Sequence, residues 1–266
     1  MGSVLGRLLA STHTLQQVCN QTLASAQAAC AWMGAGEAVA SFSDFKSADY
    51  WIVAVPDMAL ASVATFLAEQ APLQPTNTVF HCSGLHTIAV LEPLRTRVTH
   101  LASLHPMQSF SDRERAFTHF AGVVCGIEGG QAVYDDLAQW VIGWGAVAVP
   151  IPSDKKLIYH AMAVFCSNYW VTLAQVAVQC GQLAGFSEKM ALQAMKPLME
   201  VTCANVVAMG PPKALSGPIA RFDSDAVKME WDALNAVSPA LASLYTELGL
   251  ATLSLLDDSE VRYFDK

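Results

Sequence analysis

The sequence is poor in charged residues. Of its 266 residues only 14% are Asp, Glu, Lys or Arg, whereas 53% are hydrophobic. An average soluble protein has about 25% charged residues, and disordered chains have more charge and fewer apolar residues. The composition therefore excludes a disordered protein. With so few charged residues, part of the surface must be apolar, and an oligomer interface would cover it.

Positive charge is the scarcer of the two signs. The chain has 15 Lys and Arg residues against 23 Asp and Glu residues, which gives a formal net charge of -8. Proteins that bind nucleic acid generally present a basic surface to the phosphates. The charge balance therefore argues against a nucleic-acid partner.

Paired cysteine motifs are also lacking. The seven cysteines are scattered and odd in number, with no CxxC pair. This spacing predicts reduced thiols rather than a disulfide framework. The histidines and cysteine between His81 and His105 match no zinc pattern, so no metal is expected. The first residues do not have the pattern of a signal peptide, and we expect a cytoplasmic protein.

One segment without charge is long enough to span a bilayer. Residues 157–187 contain no Asp, Glu, Lys or Arg. Asn168, Gln175, Gln179 and Gln182 recur there at helical spacing, and the polar stripe that they form is costly in lipid. We therefore expect a buried helix of a soluble protein, with a membrane span as the alternative.

Apolar runs alternate with helical patterns in the first part of the chain. Tyr50–Val55 and Thr78–His81 are examples, and each is followed by turn residues. Such runs predict buried strands of a parallel α/β sheet. After Pro152 no strand-like run follows, and helical patterns fill the sequence. We predict an α/β domain over residues 1–151 and an all-helical substrate and dimer domain over 152–266, with a site in the cleft between them.

The amino terminus resembles an incomplete dinucleotide-binding motif. That motif consists of a strand, the sequence G-x-G-x-x-G and a helix. Here Gly2 would be its last glycine and the helix would follow, so the first strand and two glycines are missing from the predicted domain. A simple amphipathic helix is the alternative. Asn20 ends the next predicted strand. It has no carboxylate to bind a ribose hydroxyl of NAD, and no arginine follows that could bind the 2′-phosphate of NADP. The choice between NAD and NADP is therefore left open.

The predicted cofactor path follows the carboxyl ends of the strands, where ligands bind in this class of fold. Val55, Pro56 and Asp57 end one strand, and Ser83 and Gly84 end the next. Ordinary turns are the alternative at both places. With the amino-terminal helix included, the predicted cofactor-binding residues are Gly2, Ser3, Asn20, Val55, Pro56, Asp57, Ser83 and Gly84.

The predicted catalytic residues open the helical half. Lys156 and His160 lie four residues apart, on one face of a helix, with Asn168 near them. A partly buried lysine has a pKa that shifts readily, and it can donate a proton to a carbonyl that is being reduced. His160 and Asn168 would orient the lysine or the substrate. A lysine at a helix start beside a hydrogen-bonded core histidine is the alternative.

Three further residues are candidates for contact with a substrate. His105 precedes a proline at a strand end, and Asn205 lies on a later helix. Arg221 lies in a Pro- and Gly-rich loop, where its guanidinium could bind a carboxylate or phosphate, or pair with Asp223.

Four motifs in this order resemble those of one bacterial family. They are His-x-Ser-Gly (81–84), Leu-His-Pro (104–106), Lys-x-x-Tyr-His (156–160) and Ala-Leu-Ser-Gly-Pro-Ile-x-Arg (214–221). The family has a Rossmann-like domain followed by a domain of unknown function, number 2520. It is similar to the broader group of 6-phosphogluconate, β-hydroxyacid and pyrroline-carboxylate dehydrogenases. The resemblance covers nearly the whole chain.

The resemblance implies an NAD(P)-dependent oxidoreductase, with NADP favoured as the cofactor. It implies hydride transfer to or from a small carbonyl, imine or hydroxy-acid substrate, and a homodimer built through the helical domain. In the β-hydroxyacid members the residue four positions after the catalytic lysine is Asn, and here it is His160. This departure leaves the substrate class open. The second hypothesis is a non-catalytic nucleotide-binding sensor or scaffold dimer, which the missing first strand favours.

Overall fold

The computed structural model describes residues 1–256. Two compact units divide the chain, the first over Met1–Tyr169 and the second from Trp170 onward. The first unit thus extends past the domain boundary predicted at residue 151. It includes the helix Lys156–Cys166, because Lys156 and Tyr159 of that helix bind side chains and backbone of the sheet.

The first unit contains seven strands in two sheets. β1 and β2 form a parallel pair, and the other five form a sheet of order β3-β4-β5-β6-β7. The strands are β1 Gln17–Cys19, β2 Glu37–Val39, β3 Tyr50–Val53, β4 Thr78–His81, β5 His100–Pro106, β6 Val124–Gly129 and β7 Val147–Pro150. Six helices accompany them: α1 Gly2–Leu9, α2 Leu23–Met33, α3 Leu60–Gln70, α4 Arg113–Thr118, α5 Gln131–Gly143 and α6 Lys156–Cys166.

The predicted fold class, a parallel-dominated Rossmann-like sheet followed by helices, is confirmed, with one reversed strand. β5 and β6 pair antiparallel, while the other pairs of the larger sheet are parallel. The helix α4 between them has 6 residues, and spans about 9 Å. A strand of seven residues spans about 23 Å. The connection is therefore too short to return the chain to the start of β5, so β6 begins near the end of β5 and runs in the opposite direction.

Both faces of the larger sheet are covered. Neighbouring residues of β4 point to opposite faces, so that Phe80 belongs to one apolar cluster and Val79 to another. The first cluster includes Val4 and Leu5 of α1, and the second includes Leu60 of α3. Strands that are buried on two faces need continuous apolar runs, which explains why their sequences are so readily predicted.

The second unit is helical. Its helices are α7 Asn168–Leu183, which begins just before the unit boundary, α8 Glu188–Met209, α9 Pro211–Ala214, α10 Ser224–Val237 and α11 Pro239–Leu253. Ser187 caps α8, since its hydroxyl accepts a hydrogen bond from the Met190 amide at 3.2 Å. α8 continues through Pro197.

The expectation that the uncharged segment forms a buried helix is wrong within this chain. The stretch Ser153–Leu183 is long and apolar enough to cross a membrane by length and composition, and 6% of its most apolar window is buried. The backbone leaves helical geometry at Ser167, with φ -125° and ψ -69°, so α6 and α7 are separate helices. Length and composition alone do not separate a membrane span from a helix that is covered by another protein surface.

Candidate active site

The carboxyl ends of β1 and β3 open into a cavity of about 1200 Å³. Among the residues that line it are five of the predicted cofactor-binding residues, Gly2, Ser3, Asn20, Val55 and Pro56. Parallel strands place their carboxyl ends at the same edge of a sheet, which is where doubly wound folds bind ligands. The structure therefore brings these five residues together as predicted.

Gly2 has the packing that the last glycine of a dinucleotide motif requires. A Cβ atom at Gly2 would lie 2.8 Å from the Cβ of Ala54, the residue that follows β3. In dinucleotide-binding folds this glycine permits close packing between the helix and the strand, and the helix amino terminus receives the pyrophosphate. The residues at this edge thus fit a dinucleotide.

The His-x-Ser-Gly segment forms a closed turn. The Ser83 hydroxyl accepts hydrogen bonds from the amides of Leu85, at 3.1 Å, and His86, at 3.0 Å. The Ser83 amide donates to His81 Nδ1 at 3.1 Å, and His81 Nε2 lies 3.2 Å from the Thr87 carbonyl oxygen, to which it donates. Ser83 therefore shapes the turn. Neither Ser83 nor Gly84 lines the cavity.

A row of polar side chains crosses the sheet on the face opposite to the first apolar cluster. The strand register places His81 beside Ser103, and Ser103 beside Glu128. All three are buried, as is Lys156, whose side chain reaches this row from α6. The Lys156 Nζ atom donates to Glu128 Oε2 at 2.8 Å and also to the Ser103 hydroxyl.

Glu128 is held by more than the lysine. The Ser153 hydroxyl donates to its Oε1 at 2.6 Å, and the Ile88 amide lies 3.2 Å from both carboxylate oxygens. Burial alone would raise the pKa of Glu128, but these hydrogen bonds and the charge of Lys156 lower it. Burial lowers the pKa of Lys156, which the bond to Glu128 partly offsets. The side chains of Lys156 and Glu128 are 2% and 4% exposed, so the ion pair is almost fully removed from water.

Sequence reasoning missed Glu128. The signal was a single carboxylate at the end of an otherwise apolar strand, since Glu128 follows Val124, Cys125 and Ile127. Buried carboxylates in proteins are nearly always paired. The partner could not be read from the sequence, because it depends on the antiparallel register of β5 and β6.

His105 lies two residues after Ser103 on the same face of β5, and Tyr159 of α6 covers it. The Tyr159 hydroxyl donates to the His105 carbonyl oxygen at 3.1 Å and lies 3.1 Å from the His105 Nδ1 atom. Because the hydroxyl has one hydrogen, Nδ1 must be the donor in the second bond, and Nε2 carries the free lone pair. Burial raises the pKa of Tyr159 to about 12, so the phenol keeps that hydrogen at neutral pH.

Gly84 gives space to two imidazole rings. A Cβ atom at Gly84 would lie 2.7 Å from His105 Cε1, 2.7 Å from His160 Cδ2 and 2.8 Å from His105 Nε2. The two ring centroids are 6.1 Å apart. Gly84, His105, Tyr159 and His160 thus form one cluster at the carboxyl end of β5, which we call the histidine cluster. The charge of exposed Asp57 also reaches the cluster, where it offsets part of the lowering of the His105 pKa by burial and by the charges of His160 and Lys156.

The remaining predicted residues belong to later elements of the chain. Asn168 is exposed at the first position of α7. Asn205, on α8, and Arg221, in the loop before α10, belong to the second unit. Asp223 does not pair with Arg221 among the described residues. Its carboxylate instead caps α10, accepting from the Ala226 amide at 3.0 Å.

Acid is expected to destabilise the protein through its buried histidines. Burial and then the charge of Lys156 lower the pKa of His81 to about 4. Burial and then the charges of His160 and Lys156 lower the pKa of His105 to about 4. In the unfolded chain these groups protonate near pH 6.5, so the unfolded state binds more protons between pH 6.5 and 4. The stability is therefore complete above pH 6.5 and falls as the pH drops towards 4, by about 3 kcal/mol for each histidine.

Urea denaturation at several pH values between 7.5 and 4.5 measures this effect. His105→Gln should make the loss of stability on acidification smaller than in the unchanged protein. Equal slopes in the two proteins would show that the His105 imidazole does not resist protonation in the folded state.

Comparison with known proteins agrees with the two-part architecture. Residues 1–106 match a Rossmann-like domain, and residues 123–252 match a domain of unknown function (DUF2520). The protein is therefore a Rossmann-like α/β protein with a helical carboxyl-terminal region. The two matches occur in the order that the sequence motifs predict, with the Rossmann-like domain before the DUF2520 domain. No curated protein matches the chain.

Three solved structures illustrate the similarity of fold. Protein TM1727 from Thermotoga maritima is 25% identical, with 95% of this chain and 94% of that chain covered and a TM-score of 0.76. BF3122 from Bacteroides fragilis, a candidate NADP oxidoreductase, is 21% identical, with coverage of 95% and 93% and a TM-score of 0.77. An imine reductase from Myxococcus stipitatus, solved with NADP⁺, is 15% identical, with coverage of 100% and 96% and a TM-score of 0.61.

Proposed function

We propose that the protein is an NAD(P)-dependent oxidoreductase that transfers a hydride to or from a small carbonyl, imine or hydroxy-acid substrate. The observation that carries this proposal is a neutral imidazole, His105, held in the histidine cluster at the carboxyl edge of a Rossmann-like sheet. The similarity of fold to an NADP oxidoreductase candidate and to an imine reductase supports it.

The amino-terminal end of α1 would hold the dinucleotide. Gly2 and Ser3 would offer backbone N–H groups to the pyrophosphate, and Asn20 would meet the ribose beyond β1. Asn20 provides no carboxylate for a 2′-hydroxyl, and no arginine for a 2′-phosphate follows it, so the preference for NADP rests on the similarity of fold to an NADP oxidoreductase candidate and to an imine reductase solved with NADP⁺. When bound, the cofactor supplies or accepts the hydride. Val55 and Pro56, which line the cavity, would lie along its path, whereas Asp57, Ser83 and Gly84, which do not line it, stay predictions.

His105 would exchange the proton that accompanies the hydride. Its Nε2 atom has a free lone pair, so it accepts a proton from a hydroxyl or amine during oxidation and returns it during reduction. The lowered pKa, due to burial and then the charges of His160 and Lys156, keeps this base unprotonated at neutral pH. Tyr159 would fix the ring orientation through its two hydrogen bonds. His160, on the other side of Gly84, would orient the substrate.

Lys156, the general acid predicted from the sequence, has a different environment. Its ammonium group is buried and bound by Glu128 and Ser103. We therefore assign Lys156 a positioning role, in which its charge favours the neutral forms of His81 and His105. Asn168, Asn205 and Arg221 stay predictions for contacts with the substrate.

We also propose that two copies associate through the helical unit. Several of its apolar side chains are largely exposed in the single chain, including Leu198 at 70%, Val201 at 59% and Val207 at 81%. Monomeric soluble proteins rarely expose extended apolar surface, so a second copy would cover it. A mass in solution of twice 28.5 kDa is expected. Free thiols support a cytoplasmic location for this dimer.

Titration of the purified protein with NADPH and with NADH, followed by calorimetry, tests the cofactor assignment. We expect saturable binding of both, with the higher affinity for NADPH. Absence of binding for both dinucleotides would contradict the proposal. Binding without turnover on any carbonyl or imine substrate would favour the alternative function, a nucleotide-binding sensor.

A further inference from the structure

The histidine cluster is assembled from three separate segments of the chain. Gly84 lies in the segment after β4, and His105 lies on β5. Tyr159 and His160 lie on α6. The distance between the two imidazole rings therefore depends on how these segments are held against one another. One side chain, the carboxylate of Glu128 on β6, hydrogen-bonds to all three segments.

The segment after β4 is bound through a backbone amide. The Ile88 N–H group lies 3.2 Å from both carboxylate oxygens of Glu128. Ile88 directly follows Thr87, whose carbonyl oxygen accepts the hydrogen bond from His81 that closes the turn. Glu128 thus holds the downstream end of the turn that contains Gly84.

The other two segments are bound through side chains. The Ser103 hydroxyl donates to Glu128 Oε2 at 3.4 Å, two residues before His105 on the same face of β5. Lys156 Nζ donates to the same oxygen at 2.8 Å, and Ser153, just before α6, donates to Oε1 at 2.6 Å. A carboxylate has about four lone-pair sites, which these side chains and the backbone amide occupy. The carboxylate therefore acts through the segments that it binds.

The position of α6 depends strongly on these polar bonds. Among the 11 residues of the helix only Lys156 is buried. Leu157, Ile158 and Phe165 are largely exposed in the single chain. Apolar packing, which places most helices on their sheets, is therefore small for α6. The bonds of Lys156 to Glu128 and Ser103, with that of the Tyr159 hydroxyl to β5, hold the helix instead.

We propose that Glu128 is the positioning residue of the histidine cluster. Through α6 it places the Tyr159 hydroxyl, which keeps His105 in the tautomer with hydrogen on Nδ1 and the lone pair on Nε2. Through the segment after β4 it places Gly84, which leaves space for both rings. Its effect on turnover rests on the proposed function, whereas its effect on the imidazole does not.

Glu128→Asp tests the proposal, because it keeps the charge beside Lys156 but withdraws the carboxylate by one methylene group, about 1.5 Å. The readout is the tautomer of His105, measured by NMR on protein with ¹⁵N-labelled histidine at neutral pH without dinucleotide. The His105 signals are assigned by their absence from His105→Gln. We expect the Nδ1–H form in the unchanged protein and a mixture of both tautomers in Glu128→Asp.

Glu92 provides the matched control. It is exposed and pairs with Arg95 at 3.0 Å, outside the histidine cluster. Glu92→Asp should therefore leave the His105 tautomer unchanged.

Turnover is the second readout. Misplacing a catalytic group by about 1 Å can lower a rate by about 10²-fold. Glu128→Asp should therefore lower kcat by about tenfold to a hundredfold. The affinity for NADPH should not change, because Glu128 does not line the cavity at the ends of β1 and β3.

The double variant Glu128→Gln, Lys156→Met keeps the test decisive if Glu128→Asp does not fold, since it buries no unpaired charge. It removes the bond that joins α6 to β6, so a mixture of His105 tautomers is again expected. An unaltered tautomer in either folded variant would overturn the proposal. A changed tautomer, in a protein that turns over no substrate even without substitution, would support the proposal and contradict the proposed function alone.

Discussion

Replacing Lys156 with Met is expected to lower the free energy of unfolding by about 3–5 kcal/mol. The substitution leaves the Glu128 carboxylate buried beside Ser103 without its counter-charge. Removing one partner of a buried ion pair is far more costly than removing an exposed one, because the remaining charge cannot recover its hydration. Urea denaturation at pH 7 measures the loss.

Lys155 provides the matched control. It precedes Lys156 in the chain, is 70% exposed and pairs with Asp154 at 3.2 Å. Lys155→Met is expected to change the free energy of unfolding by at most about 1 kcal/mol. The double variant Glu128→Gln, Lys156→Met should be more stable than Lys156→Met alone, since it buries no unpaired charge. Equal stability of the two lysine variants would contradict the structural role of the pair.

Replacing His105 with Gln is expected to lower kcat/KM by about 10²–10⁴-fold, the range typical for loss of a general acid–base. Glutamine can still hydrogen-bond to Tyr159, but it cannot exchange a proton. Tyr159→Phe should have a smaller effect, because the imidazole remains and loses only its orienting partner. The measurement is the steady-state oxidation of NADPH with a small cyclic imine or 2-oxo acid that the protein turns over.

His119 is the control for this experiment, since it is exposed at the end of α4 and lies outside the histidine cluster. His119→Gln should leave turnover unchanged. Full activity of His105→Gln would show that another residue exchanges the proton, and Lys156 would again be the first candidate.

Most strands could be predicted because a sheet that is covered on both faces needs an apolar run in each strand, and such a run is visible in the local sequence. β3 and β4 are apolar runs that end in turn residues, as buried strands require. β2 was missed, since its three residues, Glu37–Val39, include an exposed glutamate and form no such run. The reversed direction of β6 could not be predicted, because strand composition does not encode direction.

The site was predictable only in part, for a related reason. The residues at the ends of β1 and β3 were found from the general location of ligands in this fold. The row of His81, Ser103 and Glu128 depends on the register of three strands, which residue types do not specify. The pairing of His105 with Tyr159 likewise joins residues far apart in the chain. The exposure of the Ser153–Leu183 stretch was missed. An apolar helix has the same sequence pattern whether it is covered by its own chain or by another surface.

The central claim, hydride transfer, is tested most directly by isotope transfer. NADPH that carries deuterium at C4 of the nicotinamide, in separate 4R and 4S forms, is incubated with the protein and a panel of small imines and 2-oxo acids. We expect one of the two forms to pass its deuterium to the reduced product, as detected by mass spectrometry, and His105→Gln to suppress the transfer. Bound NADPH with no deuterium in any product would contradict the claim.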